Sequence, residues 1–93
     1  ELVFRWSAAL PGQHYQVQLA KDAHFQDIVV DRQVDEPRLA IPWPESGFNY
    51  LRMRTIDPDG TAVPYGPTQR IDLPPKNYWP FALGAVLVLI LAL

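Results

Sequence analysis

Cysteine is absent from this 93-residue chain, which removes disulfides, thiolate metal sites and cysteine nucleophiles together. Histidine is nearly absent too. His14 and His24 are the only two, with no second histidine at ligand spacing, so no metal site is expected. Positive charge is not in excess: eight Lys and Arg stand against ten Asp and Glu, for a formal charge of −2. Without a basic stripe to neutralise phosphates, nucleic acid is not an expected partner. Ser7 and Ser46 have no recognisable histidine or acid partner, and no glycine-rich phosphate loop or paired-carboxylate motif occurs. The expectation is that the chain is not an enzyme and uses no cofactor.

Charge of either sign is also missing from the last stretch, Phe81 to Leu93 (FALGAVLVLILAL). A bilayer core takes roughly 20 apolar residues as a helix, and this run supplies about 15 if Trp79 and Pro80 are counted. Residues 81–93 are therefore expected to be the start of a transmembrane helix, or a shortened one. Tyr78 and Trp79 stand where interfacial aromatic anchors belong, and Lys76 is the last charge before the run. The competing expectation is a buried core helix, since short apolar runs serve that role as well. Small residues do not recur at four-residue spacing: Gly84 is followed by Val88 and Ala85 by Leu89. A plain anchor is favoured over a dimerising span.

What the chain has in quantity is proline, ten residues in 93, which argues for short strands joined by punctuated loops and against a helical bundle. Leu2, Phe4 and Trp6 alternate with Val3, Arg5 and Ser7, the period of a half-buried strand. Tyr15, Val17 and Leu19 repeat that pattern after Pro11-Gly12, so the first two strands are expected to form an antiparallel hairpin. Phe25 is expected to plug an irregular turn before a third strand through Ile28-Val29-Val30 and Val34. Leu39, Ile41 and Trp43 give a fourth, which Pro42 and Pro44 confine to an edge or a strand end. The fifth, Phe48 to Ile56, has a core face of Leu51, Met53 and Thr55, and an outer face of Tyr50, Arg52 and Arg54. Asp57-Pro58-Asp59-Gly60 closes it with the residues a type I turn favours. The sixth, about Thr68 to Leu73, stops at Pro74-Pro75.

Trp6, Tyr15-x-Val17 and Leu51-Arg52-Met53-Arg54-Thr55 leading into Asp57-Pro58-Asp59-Gly60 resemble strands B, C and F of a fibronectin type III domain. The phrases YQVQLAKDAHFQDIVVD and NYLRMRTIDPDG are similar to the type III-like module of bacterial FecR-domain envelope proteins, some of which carry LysM peptidoglycan-binding domains. The resemblance covers about residues 3–73. It implies an all-β fold, a small antiparallel fibronectin type III/Ig-like β-sandwich with its first strand missing, followed by the hydrophobic helix. It divides the chain into a sandwich (1–74), a Pro/aromatic linker at the membrane interface (75–80) and the membrane segment (81–93). Asn49 stands where this class usually has its corner tyrosine. The missing strand leaves Leu2 to Ser7 as an open edge, which invites a partner strand.

The candidate partner-binding surface is Tyr50, Arg52 and Arg54 on the fifth strand, with Arg5 of like outward parity on the first. Tyr and Arg on a flat sheet make good contact residues, although arginine stems also simply cover sheets and pair with neighbouring acids. Trp43 and Tyr65 are a candidate glycan platform, with Trp43 alternatively a lid on the core. Asp57 and Asp59 are read as turn residues, not calcium ligands, because no further oxygen ligands or closing glutamate follow. Asp22, Asp27, Asp31, Asp35 and Glu36 are read as a solvated loop rim.

The expected function is that of a non-catalytic, membrane-tethered extracytoplasmic interaction or spacer module of a bacterial envelope protein. Its partners are the membrane, through the C-terminal helix, and a protein or the cell wall. The FecR-like resemblance implies an inner-membrane anchor with the domain in the periplasm. The alternatives are the ectodomain of a transmembrane signalling receptor and a glycan- or peptidoglycan-binding module.

Overall fold

Period-two alternation in short, proline-bounded segments produces strands that each bury one face. The computed structural model describes residues 2–8, 10–75 and 87–91. Its strands are β1 (Leu2–Trp6), β2 (His14–Ala20), β3 (Ile28–Val34), β4 (Arg38–Ile41), β5 (Gly47–Ile56), β6 (Gln69–Leu73) and β7 (Leu87–Leu91). They form two sheets, β4-β1-β7 and β3-β2-β5-β6. The described fold is all-β and sandwich-like, and no described helix is long and apolar enough to cross a membrane.

The two sheets share one core. Leu2, Phe4 and Trp6 of β1 and Leu39 and Ile41 of β4 meet Tyr15, Val17 and Leu19 of β2, Leu51 and Met53 of β5, and Leu73 of β6. Trp6 and Tyr15 meet edge to face, with ring centroids 5.4 Å apart and planes at 73°, a geometry that sets one ring's positive edge against the other's negative face. Fully burying an aliphatic or aromatic side chain of this size contributes about 1.5–3 kcal/mol. The core faces read for β1 and β2, and Leu51 and Met53 of β5, are those observed, whereas Thr55 is only half-buried and Gln16, Gln18 and Ala20 on the other face of β2 are buried too.

The expected hairpin between the first two strands does not form. β1 and β2 lie in different sheets, so Pro11-Gly12 carries the chain across the sandwich. Both strands turn their apolar faces to the same core, which sets them face to face, and each takes its hydrogen-bond partners elsewhere. β2 pairs antiparallel with β3 and with β5, and β1 pairs antiparallel with β4. Pro42 and Pro44 fall just beyond β4, where neither removes a ladder bond.

β7 runs parallel to β1, with Leu2 opposite Leu87 and Trp6 opposite Leu91. It covers the edge that the sequence leaves open. Val3, on the outer side of β1 by parity, is buried as well. Of the helix expected over 81–93, residues 81–86 and 92–93 lie outside the described residues, as do Tyr78 and Trp79; Leu87–Leu91 are β7.

The turn that ends β5 ties the four-stranded sheet to the β1–β2 crossing. Gly60 N–H donates to Asp57 O at 2.8 Å and Asp57 N–H to Thr61 O at 2.8 Å, with Gly60 at φ 90°. That is the tight turn the Asp-Pro-Asp-Gly sequence favours. It packs against the β1–β2 crossing, where Gln13 Nε2 donates to Asp57 Oδ1 at 2.7 Å.

Candidate functional site

Strand parity places Tyr50, Arg52 and Arg54 on the outer face of β5, a central strand of its sheet. The cross-strand neighbours of the two arginines on β2 are Gln18 and Gln16, and Gln18 in turn faces Asp31 of β3. This row is wired. Arg52 Nε donates to Gln18 Oε1 at 2.8 Å and Arg54 Nε to Gln16 Oε1 at 2.8 Å. The amide nitrogens of the same glutamines donate to the two oxygens of Asp31, Gln16 at 2.9 Å and Gln18 at 3.0 Å. Asp31 thereby fixes which end of each amide faces the arginines.

Aromatic rings from two loops close over the guanidiniums. The Arg52 guanidinium carbon lies 4.2 Å from the Phe25 ring centroid and 4.1 Å from that of Tyr65, and that of Arg54 lies 4.4 Å from Tyr65. These are cation–π distances, and the stacking desolvates the faces of the cations while leaving their charge intact. Arg70 of β6, opposite Tyr50, sits 4.7 Å over Phe48 and extends the row.

Each ring has a local reason to be where it is. Phe25 adopts φ 57°, unusual for a residue with a Cβ. The Asp22 carboxylate accepts the N–H groups of His24 at 3.2 Å, Gln26 at 3.0 Å and Asp27 at 2.8 Å, and Phe25 N–H donates to Asp22 O at 3.2 Å. Those bonds fold the loop so that Phe25 is buried against Arg52. They also hold the Asp22 carboxyl below its ordinary value of 3.8; the Asp27 N–H contributes most, opposing partial desolvation, with Gln26, His24 and the His24 charge behind it. Tyr65 is carried by a loop stitched to β5, in which Val63 N–H donates to Thr55 O at 3.0 Å and Gly66 N–H to Met53 O at 2.9 Å. A crevice of about 180 Å³ opens along β5 beside this loop, with Arg52, Arg54, Thr55 and Pro64 in its wall.

The other candidates fall elsewhere. Arg5 is exposed on β1, in the opposite sheet, so it is not part of the Tyr50–Arg52–Arg54 surface. Like outward parity put the two strands on opposite outer faces of the sandwich. Trp43 packs partly buried against the core, and its Nε1 donates to Pro74 O at 3.0 Å. It lines a crevice of about 400 Å³ with Val29, Val30, Arg32 and Ile41, whereas Tyr65 lies on the arginines, so the two do not make one platform. The acidic residues are dispersed: Asp22 caps a loop, Asp31 holds two glutamines, and Asp35 lies 2.7 Å from His14 Nδ1. Among the described residues no three His, Asp or Glu side chains gather as a metal site would need.

Phe25, Gln16, Gln18 and Asp31 were not readable as site residues from spacing alone. The alternating glutamines of β2 carry the signal in retrospect, because a polar row beside an arginine row on one sheet face is a hydrogen-bonded ladder. No family model, no curated protein and no solved structure matches the chain.

Proposed function

We propose that this chain is a non-catalytic interaction module of a bacterial envelope protein, held at the membrane by its C-terminal apolar run and working through the outer face of the four-stranded sheet. The observation that carries this reading is the arginine–aromatic ladder of Phe25, Arg52, Tyr65 and Arg54. Side chains locked by stacking and by hydrogen bonds lose little entropy on binding, and Arg and Tyr are the residues that most often dominate interfaces.

The strand order supports kinship with fibronectin type III domains. β4-β1 corresponds to strands E-B, and β3-β2-β5-β6 to C′-C-F-G, with β7 at the flank where a first strand would lie. Asn49 does the work of the corner tyrosine: its Nδ2 donates to Glu45 O and Gly47 O, each at 3.2 Å, tying the strand back to the chain just upstream as that tyrosine does. Tethering as a helix and pairing as β7 use the same residues, so the two arrangements exclude one another. Membrane insertion leaves β1 with one free edge.

The test is made in cells. A photoreactive amino acid replaces either Gln33, on the ladder's side of the sheet, or Arg5, on the opposite sheet, and envelope fractions are washed with alkaline carbonate. The expected result is a protein retained in the membrane pellet that gives a discrete adduct from position 33, none from position 5, and none from position 33 in an R52A/R54A background. Release by carbonate overturns the tether. Equal adducts from both faces overturn the assignment of the working surface.

A further inference from the structure

We propose that Arg52 and Arg54 form a twin carboxylate site that takes an extended acidic segment of a protein partner, with Asp or Glu at alternate positions. The inference rests on the reading of this face as the working surface and adds the chemistry of what it binds.

Each guanidinium is held in part, and what remains free is specific. Arg52 is stacked on Phe25 and Tyr65 and Arg54 on Tyr65, and each Nε is taken by a glutamine carbonyl. No ion pair with a carboxylate involves either one: the pairs among the described residues are His14–Asp35 and Lys21–Glu45. Asp31, the carboxylate of this network, has both oxygens engaged by the amides of Gln16 and Gln18. The terminal Nη edges are therefore left as two forks without an anion. A half-buried cation with no counter-charge is costly unless a partner supplies one, and a planar fork matches a carboxylate in two parallel hydrogen bonds.

Spacing selects the ligand. Residues two apart on a strand share a face and stand roughly 6.5 Å apart. An extended peptide repeats its own side chains at the same interval, so acids at alternate positions meet both forks at once, whereas adjacent acids point to opposite sides. Tyr65, touching both guanidiniums, holds the forks at this interval. Arg70, stacked on Phe48 on the next strand, adds positive charge along the face.

The whole chain is reconstituted in lipid nanodiscs and titrated with two labelled peptides of identical composition, one with glutamates at alternate positions and one with the same glutamates adjacent. Fluorescence anisotropy is expected to show the alternating peptide binding at least about tenfold more tightly, the worth of one charge-assisted contact. An R52K/R54K double variant keeps the charge but loses the planar forks, and is expected to abolish that preference. Equal binding of the two peptides to the unaltered chain overturns the proposal whether or not the variant folds. Binding of pyrophosphate with neither peptide bound also overturns it, in favour of a phosphate site. A flat peptide titration alongside a persisting position-33 adduct in cells means the face is right and the acidic chemistry wrong; loss of both means the face itself is wrong.

Discussion

At the scale of single residues, the positions that matter most are those whose backbone or amide has no substitute. Asn49 is fully buried and spends its amide nitrogen on two carbonyls, so Asn49→Ala strands both acceptors and is expected to cost roughly 1–3 kcal/mol by urea denaturation. Gly12 and Gly47 both have positive φ, at 84° and 97°. An added Cβ meets open space at Gly47 but lies 3.1 Å from Pro58 Cγ at Gly12. Alanine at either is expected to cost about 1–2 kcal/mol for the left-handed conformation, with Gly12→Ala the more damaging of the two. Equal losses would mean the contact between the turns is slack.

Asp22 gives a pH prediction with a definite sign. Its carboxyl titrates below 3.8 in the folded chain because the charged form accepts the loop N–H groups. A depressed folded value means the stabilisation is complete above the unfolded value and is lost as pH falls through the folded one. Asp59, lowered by the Thr61 N–H and hydroxyl, acts in the same direction. Melting temperature is therefore expected to drop below pH 4, and Asp22→Asn is expected to lower it at neutral pH while flattening that acid limb. The same variant should weaken the Arg52 stack, because Phe25 depends on this loop.

At the scale of elements, β3 is an edge strand with a defect built into it. Its pairing with β2 shifts between Leu19 and Ala20, which leaves Val29 as an extra residue, 45% exposed beside Ile28. A bulge of this kind twists an edge away from foreign strands. Val29→Lys is expected to change stability by less than about 0.5 kcal/mol while reducing light scattering on prolonged heating. A large loss of stability would mean that Val29 packs against more than its exposure implies.

Elements are also where the sequence was most readable. Alternation located β1, β2, β4 and β5, although β4 ends at Ile41, before the Trp43 that the alternation included. An apolar run located β3 and the Pro74-Pro75 stop located β6, and the Asp-Pro-Asp-Gly turn announced itself because each residue has a backbone reason to be there. Pairing was less readable: alternation says that Leu2-Phe4-Trp6 and Tyr15-Val17-Leu19 each have a buried side, but not whether those sides meet edge to edge or across a core. The candidate face was legible in its strand half, Tyr50, Arg52 and Arg54, and illegible in its loop half. Phe25 and Tyr65 come from irregular segments without a period, and their placement depends on loop hydrogen bonds that no spacing rule encodes.

At the scale of the whole molecule, the two sheets divide the labour. The four-stranded sheet presents the ladder, while the other sheet shelters the core and holds β1 and β7 side by side. β2 and β5, paired from His14 opposite Ile56 to Ala20 opposite Tyr50, are the axis of the structure. Amide hydrogen exchange is expected to be slowest in these two strands and faster in β1 when the chain is cut after Pro75, because removing β7 exposes one edge of β1 and none of β2 or β5. Unchanged protection in β1 would show that β7 contributes little there.

The parallel pairing of β1 with β7 has a consequence for biosynthesis. β1 is made before β4 and pairs with it early, but its second neighbour, Leu87–Leu91, follows only after every other described strand. In that interval the nascent protein carries an unoccupied, hydrophobic strand edge, and under the proposed tether β1 and the membrane compete for the same leucine-rich segment.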